Sequence, residues 1–112
     1  MRSYAKTAEL FRNAGENPEL MDGRMLALYH VNGPEDVHYP VWEMHSEGDE
    51  LLILASGSLS VDFREGEMDR TASLPPQAAF IVPAGIWHRL MVHEPSILIA
   101  ITPRHNTVNK KG

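Results

Sequence analysis

From residue 24 onward the chain reads as short apolar runs rich in Val, Ile, Leu and Phe, interrupted regularly by turn signals. Gly48-Asp49, Ser56-Gly57, Glu65-Gly66, Pro75-Pro76, Pro83-Ala84-Gly85, Glu94-Pro95 and Pro103 fall roughly nine or ten residues apart, the spacing of an all-β sandwich or barrel. Within the runs the period is two. Leu59, Val61 and Phe63 share one face of residues 58–64, and Ser60 and Asp62 the other, as a half-buried strand requires. The pattern predicts strands over 24–31, 37–45, 50–55, 58–64, 69–74, 78–82, 86–93 and 96–102. The third and fourth are expected to form a hairpin across Ala55-Ser56-Gly57. Residues 3–14 are the one helical candidate, with Ser3 as cap and Tyr4, Ala8 and Phe11 on one face. An irregular arm is the alternative. The organisation expected is an arm or helix over 1–23, one barrel over 24–102 and a polar tail over 103–112.

Composition narrows the function. The 112 residues make one domain, with 43% hydrophobic and 22% charged residues, ordinary values for a globular chain. Apolar stretches such as Ile97 to Ile101 are too short to span a bilayer. The first residues lack the apolar core of a secretory signal, so the expected location is the cytoplasm, with no membrane partner. A net charge of −5 argues against tracking along phosphates, so no nucleic-acid partner is expected. The absence of cysteine excludes disulfides, thiolate metal sites and a cysteine nucleophile. What remains is a domain that works on a small molecule or on another protein.

Four residues carry the candidate chemistry. Glu43 and His45 stand at i and i+2, so on a strand both project to one face. Glu50 follows the Ser46-Glu47-Gly48-Asp49 turn and can open the next strand beside His45. Pro83-Ala84-Gly85-Ile86-Trp87-His88 is a turn that feeds a strand beginning near a histidine. Two imidazoles and two carboxylates can then converge inside a barrel, and these donors hold divalent transition metals where thiolate is absent.

The run from Glu43 to Gly57 resembles the first motif of the cupin family, with His45, Glu50 and Gly57 at the expected positions. Pro83 to His88 resembles the second motif, Pro-x-Gly-x-x-His. The resemblance covers roughly residues 24–102. It implies a jelly-roll barrel, a bound divalent metal (Fe, Mn, Ni or Zn), and ligands at His45, Glu50 and His88. Three positions depart from the pattern. Glu43 replaces the first motif histidine, Gln77 the opening glycine of the second motif, and Val92 its terminal asparagine. With Glu43 as fourth ligand the site is close to neutral, whereas three histidines and one glutamate leave it cationic. Alternatively, Glu43 stays off the metal and acts as a catalytic general base.

Strand parity sorts the neighbours. Tyr39, Val41, Leu52 and Leu90 are expected to line a mostly apolar substrate pocket suited to a small organic ligand. Trp42, Trp87, Arg89, His38 and His93 are expected to face away from it. No partner is evident for His30 or His105. The outward Leu51 and Ile53, or the arm around Phe11, are expected to be buried in a homodimer. Cupins serve as oxygenases, lyases, isomerases, binding modules and storage proteins. The expectation is therefore a metal-dependent enzyme, with a small-molecule binding module or an accessory barrel as the alternatives.

Overall fold

A computed structural model of the chain describes residues 24–103 and 106–111; residues 1–23 with their expected helix or arm, and His105, lie outside the described residues. The described strands are β1 (Arg24–Val31), β2 (Trp42–His45), β3 (Glu50–Glu65), β4 (Met68–Leu74), β5 (Ala79–Val82), β6 (His88–Pro103) and β7 (Thr107–Lys110). One 3-10 turn, Pro34–Val37, joins β1 to β2. Every pairing is antiparallel. No helix among the described residues is long and apolar enough to cross a membrane.

β3 and β6, each 16 residues long, hold the barrel together. Their first and second halves belong to different layers. Leu51–Leu54 pair with Ile101–Leu98, and this half carries β1 on one flank and β5 on the other. Leu59–Phe63 pair with Val92–His88, and this half carries β4, β2 and β7. Between the halves the register shifts three times, at Leu54/Ser56, Ser56/Ser58 and Ser58/Leu59. The expected hairpin at Ala55-Ser56-Gly57 is therefore a bulged bend in one continuous strand, and Glu94-Pro95 is its counterpart in β6. Gly57 makes the bend with φ +100, and a Cβ there would meet the Pro95 carbonyl oxygen and Ser96 Cα at 2.6 Å. Ser96 Oγ caps the bend, accepting from Ser58 N–H at 3.0 Å and donating to the Glu94 carbonyl at 2.7 Å.

The inner faces of both layers meet in one core of Val31, Leu52, Leu54, Leu59, Val61, Leu74, Val82, Val92, Leu98 and Ala100. Alternation thus does its expected work: Leu52 and Leu54 are buried while Leu51 and Ile53 lie half-buried on the outside. Leu26, Ile101, Leu51 and Ile81 align across β1, β6, β3 and β5 on that outer face, with Leu28, Ile99, Ile53 and Ala79 in the next row.

Two further expectations are corrected. Residues 37–41 are not strand. His38 takes a left-handed φ of 58°, Tyr39-Pro40 is a cis peptide, and the strand starts only at Trp42. Proline has no N–H to give a ladder, and the turn resets the parity of everything before it. Residues 107–110, read as part of a polar tail, form β7 and pair with all four residues of β2.

Candidate metal centre

The loops carrying the two sequence motifs are clipped to each other. Gly85 N–H donates to the His45 carbonyl at 2.9 Å, and Ala84 N–H to Asp49 Oδ1 at 2.9 Å. Gly85 turns with φ +81, a conformation glycine adopts without strain. Glu43 then stands directly opposite His88 in the β2–β6 register. The result is that Glu43, His45, Glu50 and His88 each offer a donor atom, all within 4.8 Å of one another.

The inner three are closed off from water: His45 and His88 are 3% exposed and Glu50 is 6% exposed. The Glu43 side chain, 38% exposed, faces the cavity mouth. His45 Nε2 lies 3.0 Å from Glu43 Oε1 and 3.4 Å from Glu50 Oε2. Neither oxygen is in line for a hydrogen bond, so this buried nitrogen has no hydrogen-bond partner. His88 Nε2 lies 3.1 Å from Glu50 Oε1. Its Nδ1 lies 3.0 Å from the Ile86 carbonyl, which only accepts, so Nδ1 carries the proton and Nε2 directs its lone pair at a carboxylate unless a positive charge intervenes. The donor set therefore fits a divalent cation: two imidazole nitrogens and two carboxylates surround one point, and the contacts among them are repulsive or unsatisfied without positive charge there.

The titration of the cluster reflects the same field. Burial pulls the His45 pKa down, but the Glu43 and Glu50 carboxylates outweigh it and raise it from 6.5 to about 9. Burial pushes Glu50 up, yet His45, His88 and the Thr102 hydroxyl hold it down at about 2.

Two threonines complete the site, and neither was found by the motif spacing. Thr102 Oγ1 donates to Glu50 Oε2 at 2.7 Å. Its signal is parity, since it alternates inward with Leu98 and Ala100 on β6. Thr107 Oγ1 lies 2.8 Å from His45 Nδ1 and fixes the ring from behind. Nothing local in the sequence announces Thr107, because its partner is 62 residues away.

The cluster forms one wall of a cavity of about 490 Å3. Val41, Leu52 and Leu90 line it, together with Val31, Leu98 and Ala100. Tyr39 does not line it; the reset of parity at the His38–Pro40 turn carries its ring under the Arg89 guanidinium, 4.8 Å away. The same turn brings His38, expected to face away, onto the cavity wall, and Arg89 also reaches its rim. Trp42 faces away as predicted and is 1% exposed. Trp87 lies under Lys110. His93 is exposed and its Nε2 lies 2.8 Å from Ser60 Oγ.

No protein-family model matches the chain, and no curated protein does. Solved structures do. A cupin-2 domain containing protein from Shewanella frigidimarina is 25% identical, with 74% of this chain aligned to 72% of that one at a TM-score of 0.58. The iron(II) form of HppE in complex with substrate is 18% identical over 72% of this chain, TM-score 0.57, and this chain covers only 43% of its length. Hydroquinone 1,2-dioxygenase PnpCD, in complex with Cd2+ and 4-hydroxybenzonitrile, is 17% identical over 74% of this chain and 59% of its own, TM-score 0.56.

Proposed function

We propose a function that starts from the fold: the chain is a cupin barrel, and it works as a metal-dependent enzyme on a small, largely apolar organic molecule. The observation that carries this reading is the convergence of Glu43, His45, Glu50 and His88 on one point, with His45 Nε2 buried and unpartnered. His45, Glu50 and His88 hold the ion, and Glu43 is its fourth ligand. Iron, manganese, nickel and zinc all accept such a donor set. A divalent ion there supplies Lewis acidity toward a ligand oxygen and, if it is redox-active, electron transfer as well. The apolar walls exclude water and orient the body of the ligand against the cluster. Arg89, the arginine among the described lining residues, is already bound to Asp62 at 2.9 Å. The pocket therefore favours an uncharged ligand over a phosphorylated or carboxylated one. The reaction is of oxygenase, lyase or isomerase type, in the cytoplasm.

We also propose that the molecule is a homodimer joined through the outer face of β1, β6, β3 and β5. Leu28 and Ile81 on that face are 59% and 61% exposed, and the two apolar rows hold no charged residue. A second copy offers the same uncharged face, as a twofold contact requires.

The deciding experiment is metal analysis of protein purified without a histidine tag. One divalent ion per chain is expected, lost in His45→Ala and His88→Ala. Protein that holds no metal and takes up none on incubation refutes the proposal. Turnover and oxygen consumption against a panel of phenols, small acids and sugars then separate an enzyme from a binding module.

A further inference from the structure

We infer that Arg89 is a positioning residue for the metal centre, acting through the strand that carries Glu43. The inference rests on the metal-binding reading above.

β2 is only four residues long, and its register with β6 consists of a single pair, Glu43 opposite His88. On its other side it meets β7, four residues long and exposed throughout. Backbone pairing alone holds such a strand weakly, and a slip of one residue would turn Glu43 and His45 away from the cavity.

A row of side chains on the outer face supplies what the backbone does not. Directly behind the pair Glu43 and His88 stand Trp42 and Arg89, and behind Phe63 stands Asp62. Arg89 Nε donates to Asp62 Oδ2 at 2.9 Å, and Thr71 Oγ1, on β4, donates to Asp62 Oδ1 at 2.7 Å. The Arg89 guanidinium lies 4.3 Å over the Trp42 ring, and Arg64 lies 4.3 Å from that ring as well. Arg64 is itself anchored by Asp69 on β4 at 2.7 Å. Arg89 also donates to the Pro40 carbonyl at 3.3 Å and lies over Tyr39. Arg89 and Arg64 thus tie β2 and the turn before it to β3, β4 and β6. Four of the Arg89 contacts end on residues 39–42 or on Asp62, and none ends on a ligand. Its side-chain contacts therefore reach the site through the placement of β2. A planar guanidinium can hydrogen-bond at its edge and stack on its face at once, which lysine cannot do.

The test measures Co2+ affinity and the visible Co2+ spectrum for the wild type, Arg89→Met, Arg89→Lys, Glu43→Gln and the double variant Glu43→Gln/Arg89→Met. Loss of a residue that orients metal ligands weakens binding by about 10–100-fold, and that loss is expected for Arg89→Met, with a changed spectrum. Arg89→Lys keeps the charge but should recover only part of the affinity. In the Glu43→Gln background, adding Arg89→Met should weaken Co2+ clearly less than it does in the wild type, because of the two ligands on β2 only His45 remains. Equal losses in both backgrounds mean a general structural role and overturn the inference, as does wild-type affinity in Arg89→Met. If Arg89→Met does not fold, Asp62→Asn takes its place in the same cycle, with the same expectations. A wild type that binds no Co2+ refutes the metal reading itself, a result distinct from metal binding that is indifferent to Arg89.

Discussion

Filling the centre with a divalent ion should expel a proton from His45. In the metal-free protein burial lowers the His45 pKa, but the two carboxylates beside Nε2 raise it from 6.5 to about 9. At pH 7 the imidazole is then protonated in all but roughly one molecule in a hundred. A metal ligand needs the nitrogen lone pair, so the proton has to leave. The apparent metal affinity should fall about tenfold for each pH unit below 9, and at pH 7 lie about 100-fold under its limit. Glu50, held at about 2, is ionised throughout and contributes no proton. Isothermal titration of Co2+ at pH 7 in buffers of different ionisation enthalpy counts the protons directly, and about one from His45 is expected. Glu43→Gln removes one of the two carboxylates that raise the His45 pKa, so its pH dependence should set in at lower pH. Zero protons released at pH 7, with affinity flat from pH 7 to 9, would refute the reasoning.

The remaining predictions concern the apo fold and its assembly. The contribution of His45, whose pKa is raised in the folded state, is complete below about pH 6.5 and lost as pH rises through about 9; that of Glu50, lowered in the folded state, is complete above about pH 4.5 and lost as pH falls through about 2. Thermal melts of metal-free protein should therefore peak between about pH 4.5 and 6.5, and saturating metal should move that peak upward. Gly57→Ala places a Cβ 2.6 Å from the Pro95 and Ser96 backbone at φ +100, with a cost of about 3 kcal/mol or more. Its melting temperature should drop by about 10 °C or more; an unchanged melt would mean the bend relaxes freely. Light scattering should return twice the 12.6 kDa chain mass for the wild type and a monomer for Ile81→Glu, and a wild-type monomer at micromolar concentration would remove the dimer.

The sequence made the site legible where chemistry and local geometry coincide. Glu43 and His45 are on one face because a strand has period two, and Glu50 and His88 are near because each follows a short turn. Strand 24–31 was legible for the same reason, and 69–74 and 78–82 came within a residue of their true bounds. The bends at Gly57 and Glu94-Pro95 were misread because a hairpin and a bulge both interrupt alternation with the same residue types. Only the partner strand tells them apart: β6 continues past the bend alongside β3, which a local pattern cannot record. Pro40 failed differently. It stood inside an apolar alternation from 37 to 45, and its missing N–H outweighed that alternation, taking Tyr39 out of the pocket and putting His38 in. Thr107 and the row Thr71, Asp62, Arg89 and Trp42 depend on cross-strand register, which no spacing along the chain encodes.

Glu43 shows how the legible and illegible parts depend on each other. A second carboxylate beside a buried imidazole is costly unless positive charge lies between them. In the metal-free state a proton on His45 would supply that charge; with metal bound the ion would supply it. The two would compete for Nε2, so metal affinity should follow pH. The arrangement works only if Glu43 is held near 3.0 Å from Nε2, and Glu43 sits on a four-residue strand that meets β6 through a single pair. Charge at the centre draws Glu43 inward, and the stack of Arg64, Trp42 and Arg89 fixes the strand from outside. Replacing a histidine by a glutamate at this position therefore changes more than the net charge of a ligand set. On the proposed reading it would couple the site to protons, and it would make the outer face of β2 part of what determines how tightly metal is held.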